Sequence, residues 1–191
     1  MAKGGQFERD ICRELSMWWT DGERDDVFWR TSQSGGRATT RRKKGKKTFG
    51  QYGDVQATDP IGQPLIDLCT IELKKGYNKA SCGDLLDKNL RFEGKPTPWE
   101  KMVHQAIGQA KEAQTSYWWL IHKRDHRETI LYFPGRFFGE VGLLLSSIRP
   151  VVVLETRNNY RVVGMSLTRF LQATPPKFFQ PLKKIRLMKK L

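Results

Sequence analysis

Cysteine is scarce. Only Cys12, Cys69 and Cys82 occur among 191 residues, with no CxxC pair, which excludes a disulfide framework and a zinc site of the usual spacing. The apolar neighbours of Cys12 and Cys69 mark both as small core residues. Long apolar runs are also missing: none approaches the roughly 18 residues that a membrane span needs. Met1-Ala2-Lys3-Gly4-Gly5 does not lead into the unbroken apolar stretch of a signal peptide, so a cytoplasmic protein is expected. What is present, 38% hydrophobic and 11% aromatic residues, is too rich for a disordered chain, and the length suits one domain with a real core.

Acid is absent where base is concentrated. Residues 27–53 hold eight Lys or Arg and residues 156–191 hold nine, neither segment with an Asp or Glu. The rest of the chain has 17 basic against 20 acidic side chains, so a net charge of +14 resides in two segments on a slightly acidic body. Lysines that merely solvated a surface would have acids mixed among them. A field laid out this way suits a polyanion, and nucleic acid is the expected partner, because each phosphate neutralised releases condensed counterions.

Phe7, Ile11, Leu15 and Trp18 recur at helical spacing over residues 6–19, and residues 27–31 read as a short strand. About twenty residues follow without period, including the tract Arg41-Arg42-Lys43-Lys44-Gly45-Lys46-Lys47. Residues 54–58 and 65–74 are strand-like runs joined by Pro60-Ile61-Gly62-Gln63-Pro64, so an antiparallel hairpin is expected. Pro98 opens a helix to Ser116. Strands are expected over 117–122 and 129–133, a helix over 137–148, a hairpin over 151–163, and a short helix from the N-cap Ser166 to Gln172. Three regions follow: a core over 1–134 that includes the basic loop 35–53, a C-terminal extension over 135–174 packed on it, and a basic tail over 175–191.

In that hairpin Asp54 would oppose Glu72, with Cβ atoms about 5 Å apart. Two carboxylates so close repel unless a cation lies between them. Strand parity sends Lys74 to the face of Glu72, and Ile71 and Leu73 to the other. Asp, Glu and Lys meeting on an apolar strand pair suit metal-assisted phosphodiester hydrolysis: hard oxygen ligands hold Mg²⁺, with Mn²⁺ as substitute, and the ion activates water. The Leu73 carbonyl is a further candidate ligand. Charged residues at strand ends are common, so spacing alone leaves this reading open.

Gly53-Asp54 followed by Ile71-Glu72-Leu73-Lys74 resembles the PD-(D/E)xK nuclease signature, with Gly53 where the literal pattern has proline. Lys3-Gly4-Gly5-Gln6-Phe7-Glu8-Arg9 and Arg30 through Ser34-Gly35-Gly36 are similar to segments of archaeal-type Holliday-junction resolvases. The resemblance spans roughly residues 3–123. It implies an α/β fold with a restriction-endonuclease-like core, in the order α-β-β-β-α-β, with a mixed sheet flanked by helices; residues 135–191 have no counterpart in the resemblance, and the elements read there add a C-terminal α+β extension. It also implies Glu8 as an outer metal or water ligand, Asp54 and Glu72 as metal ligands, Lys74 as the catalytic lysine, and Ser34 as a backbone-phosphate contact. Products with a 5′-phosphate follow from it as well.

The resulting expectation is a Mg²⁺-dependent, homodimeric DNA endonuclease selective for junctions or branched DNA. Arg30, Ser34, Arg37, Arg41, Arg42, Lys43, Lys44, Lys46, Lys47 and Lys75 would contact nucleic acid. A less selective duplex or single-strand nuclease, and a non-catalytic binding protein on a nuclease-like fold, are the alternatives. Gln105, on the helix after the Glu-x-Lys strand, reads as an exposed polar residue or an active-site amide. His122 and His126 bracket a turn and are not a metal pair. Trp18, Trp19, Trp118 and Trp119 are assigned to the core.

Overall fold

The computed structural model describes residues 3–31, 52–87, 94–142 and 145–179. Helix α1 (Lys3–Trp19) leads into β1 (Phe28–Arg30), which pairs antiparallel with β2 (Val55–Ala57) as a two-stranded sheet. A 3-10 turn (Pro60–Gly62) and helix α2 (Gln63–Leu68) deliver the chain to β3 (Cys69–Lys75). After the short α3 (Asp84–Asp87), helix α4 (Pro98–Ala113) crosses to β4 (Tyr117–Lys123). β5 (Thr129–Pro134), α5 (Gly135–Val141), β6 (Val152–Glu155), β7 (Arg161–Ser166) and α6 (Leu167–Ala173) follow. The larger sheet has the order β3-β4-β5-β7-β6. β3 and β4 are parallel and the other pairs antiparallel, as expected of a mixed sheet in an α/β fold of restriction-endonuclease-like form.

The expected hairpin of residues 54–74 does not form. Pro64 stands in the first turn of α2, where no N–H is missed, and Leu65 and Leu68, three apart, are both buried. A short apolar run bounded by prolines is ambiguous between helix and strand, and here the helix wins. β3 therefore pairs not with β2 but with β4, through the helical crossover that a parallel pair requires. The helix expected over 137–148 is also shorter, ending at Val141.

Two apolar layers sandwich the large sheet. Beneath it, α1 contributes Phe7, Ile11 and Leu15 to a core with Ile71, Leu73, Trp119 and Phe133. Above it, α4 buries Trp99, Met102, Val103 and Ala106 against Trp118, Leu120 and Tyr132. The four tryptophans pack as core residues: Trp19, Trp118 and Trp119 are buried, and the partly buried Trp18 packs against Trp19 and Trp119 and donates from Nε1 to the Thr174 carbonyl at 2.8 Å. The core extends into the stretch read as tail, for Phe179 is fully buried with its ring against Trp18, Trp19 and Trp119. Among the described residues no helix is long and apolar enough to cross a membrane.

Candidate active site

β3 is an edge strand, so the backbone groups of alternate residues face outward from the sheet. Asp54 takes them up. Its N–H donates to the Ile71 carbonyl at 2.8 Å, and its Oδ2 accepts from the Leu73 N–H at 2.8 Å. On its other side the Asp54 carbonyl accepts from the Thr31 N–H at 3.0 Å. The closeness of Asp54 to Glu72 thus holds, though it arises from a plug on the strand edge and not from a hairpin. The N–H and C=O of one strand residue point the same way, so the Leu73 carbonyl looks out on the side where Asp54 sits.

Gly53 makes this placement possible. Its φ of +75° is a left-handed conformation that disfavours side chains, and a Cβ there would lie 2.6 Å from the Ile71 carbonyl oxygen. Its N–H donates to Gln109 Oε1 at 2.7 Å. Proline, lacking that N–H and fixed near φ −65°, does not fit.

Parity along β3 is as expected. Ile71 and Leu73 enter the lower core, while Glu72 and Lys74 face α4. Glu72 is 1% exposed; its Oε1 accepts from Lys74 Nζ and from Gln105 Nε2. Oε2 is buried and has no hydrogen-bond partner among the described residues. A buried carboxylate oxygen without a donor is costly, and a cation would relieve it.

Electrostatics point the same way. Burial pushes Asp54 up from 3.8 to about 7, with the Glu72 charge adding to the rise and the Leu73 N–H opposing it. Burial also raises Glu72, against Lys74 and, more weakly, the Gln109 amide. Burial lowers Lys74, but the contact with Glu72 and the charge of Asp54 together outweigh it, and Lys74 ends above its ordinary value. Two hard-oxygen acids that resist ionising together fit a divalent cation such as Mg²⁺. Asp54 and Glu72 would hold it with the Leu73 carbonyl.

Glu8, on α1, accepts from Arg30 Nη1 at 3.3 Å, and its charge raises Asp54 and Glu72, which places it beside the pair. The Arg30 guanidinium lies over Gly5, where a Cβ would come within 2.9 Å of Nη1. Among the described residues no group of three or more His, Cys, Asp and Glu is spaced to hold a metal, so the site is built on an acid pair with Glu8 engaged by Arg30. Lys75, of opposite parity, points away, its Nζ 5.8 Å from the Phe7 ring centroid. Ser34, Arg37, Arg41, Arg42, Lys43, Lys44, Lys46 and Lys47 lie outside the described residues.

Gln105 turns inward to Glu72. Gln109, one helical turn on, was not singled out in the sequence; the four-residue spacing of the two amides on α4 was the available signal. His122 is buried, its Nε2 3.2 Å from the Gly76 carbonyl, and His126 sits in the following turn. Three cations of the C-terminal basic segment are committed internally: Arg157 to Glu100, Arg161 to Glu155, and Arg169 to the Arg149 carbonyl. No curated protein and no solved structure matches the chain. A family model described as "Phage putative PDDEXK endonuclease" matches residues 1–180, and the chain belongs to that family.

Proposed function

We propose that this nuclease-family chain is a Mg²⁺-dependent DNA endonuclease, with Mn²⁺ as substitute, that acts as a homodimer and prefers branched DNA such as a four-way junction. The observation that carries the catalytic reading is the buried Asp54–Glu72 pair clasping the edge of β3 beside Lys74, with one Glu72 oxygen lacking a donor. The preference for branched DNA rests on the resemblance of the Glu8 and Arg30–Gly36 segments to junction resolvases.

When bound, the metal supplies an activated water and stabilises charge developing on phosphorus. Asp54, Glu72 and the Leu73 carbonyl are its ligands. Lys74 keeps its proton, held by Glu72, and presents an ammonium to a non-bridging oxygen of the scissile phosphate. Gln105 steadies the Glu72 carboxylate. Glu8 fixes the Arg30 guanidinium, which contacts the DNA backbone together with Ser34 and the basic residues 37–47.

The test is cleavage of a four-way junction and of a matched linear duplex, with Mg²⁺, by the wild type, Asp54→Asn and Glu72→Gln. Both variants should lose cutting by at least about a thousandfold, a scale set by single groups aimed at transition-state charge, and the junction should be cut faster than the duplex. Retained cutting by either variant overturns the assignment. Wild-type binding without cutting in both Mg²⁺ and Mn²⁺ shows a binding protein instead.

A further inference from the structure

On the sheet face that carries Glu72 and Lys74 lies a cavity that the reaction does not use. It has a volume of about 260 Å³ and lies between the segment that follows β3 and the β4–β5 hairpin, lined by Ser81, His122, Arg124, Arg127, Ile130 and Tyr132, among others. Strand register fixes its position. Lys74 is the neighbour of His122 across β3 and β4, and His122 that of Ile130 across β4 and β5. Leu120 and Tyr132, in the next row, belong to the layer above the sheet. The cavity therefore opens on the face that carries Glu72 and Lys74, one to two strands away, or roughly 5–10 Å.

Its charge is unspent. Arg124 and Arg127 make no ion pair among the described residues, although Glu128 shares the rim; Glu128 accepts instead from Ser166 Oγ at 3.4 Å. Arg124 lines the cavity together with His122 and Tyr132, and its charge bears on both. Two guanidiniums and a serine hydroxyl above an aromatic floor are the donor set for a phosphate with an attached sugar. The volume falls just below the usual range for whole small-molecule ligands.

We propose that this cavity binds one backbone phosphate of the nucleic acid strand, about two to three nucleotides from the phosphate being cut. The proposal rests on the nuclease reading for its ligand. Strand charges recur about every 3.4 Å of helix axis, so the distance from Lys74 corresponds to about two to three nucleotides. Held there and at Lys74, a strand has its direction through the site set by two points.

The experiment pairs the full-length wild type with an Arg124→Gln/Arg127→Gln variant, and a DNA duplex carrying single methylphosphonate linkages, which lack the charge, at successive positions around the cut. Metal-free binding is measured against salt. The double variant should bind several-fold more weakly, with a salt slope smaller by about 1. One methylphosphonate position should weaken wild-type binding and have no further effect in the variant. Methylphosphonate losses that are the same in wild type and variant at every position overturn the proposal. Inorganic phosphate and a mononucleotide serve as competitors: competition by inorganic phosphate as strong as by DNA of equal phosphate concentration identifies a free-phosphate site and also overturns it. Arg127 is exposed and Arg124 partly so, neither with an ion pair among the described residues, and Ser81→Ala is a second, milder probe expected to shift the same position. Failure of cleavage by the wild type would defeat the nuclease reading but leave the binding cycle readable.

Discussion

Gly53 carries more constraint than any other residue near the acid pair, since its φ, its missing side chain and its N–H are all in use. Gly53→Ala should lower stability by about 1–3 kcal/mol, read as a shift in urea midpoint at unchanged slope, and weaken metal binding because Asp54 is the next residue. Asp54 itself makes stability depend on pH. Its folded value, about 7, lies above the ordinary 3.8, so between these pH values the unfolded chain releases a proton that the folded site retains. Metal-free stability should therefore fall as pH rises from about 4 to 7. A cation that needs the carboxylates ionised reverses this: Mg²⁺ should raise Tm more at pH 8 than at pH 5. In Asp54→Asn both the fall and the difference should shrink, and thermal melts across pH with and without Mg²⁺ check this.

At the level of elements, helix α4 was legible because its start is written several times over. Thr97 and Glu100 cap each other, with Pro98 at the first helical position. The parity of β3 was legible for a similar reason, as Ile71 and Leu73 alternate with Glu72 and Lys74. The route bringing Asp54 to Glu72 was not, because Pro60 to Leu68 satisfies both turn-plus-strand and helix, and only tertiary burial of Leu65 and Leu68 decides. Nor could composition distinguish a cation facing solvent from one facing a carboxylate. Arg157 reads as part of a basic segment, yet it reaches Glu100 Oε2 at 2.6 Å and the Lys95 carbonyl at 2.8 Å. Burial raises Glu100, but the Arg157 contact and the Thr97 N–H outweigh it and hold the carboxyl down at about 2. A depressed acid adds stability above its unfolded value and loses it as pH falls through the folded one. The α4 contribution should be intact above about pH 4.5 and vanish toward pH 2. Glu100→Gln should remove this acid limb and lower Tm, and Glu100→Ala, which also loses the cap, should lower it further.

Across the whole molecule the charge separates by role. Arg157, Arg161 and Arg169 of the C-terminal segment are tied to internal partners, so the attraction for a polyanion is expected from the six cations of the 41–47 tract and the five of residues 180–191. Neutralising the 41–47 tract with Gln should weaken DNA binding and flatten its salt dependence, by a slope of up to about 5 for six cations if most of them meet phosphates, while metal affinity measured calorimetrically stays unchanged. Loss of metal affinity in that variant would contradict the separation. Asp54 immediately precedes β2 of the two-stranded sheet and Glu72 lies in the five-stranded one, and among the described residues Asp54 bridges the two by its hydrogen bonds to the Ile71 carbonyl and the Leu73 N–H. The acid pair is thus a clasp across a seam between two leaves. Whatever ion closes the clasp also rivets the small leaf to the large one, so slowed amide exchange at Asp54 and Leu73 would report loading of the site mechanically, before any substrate arrives.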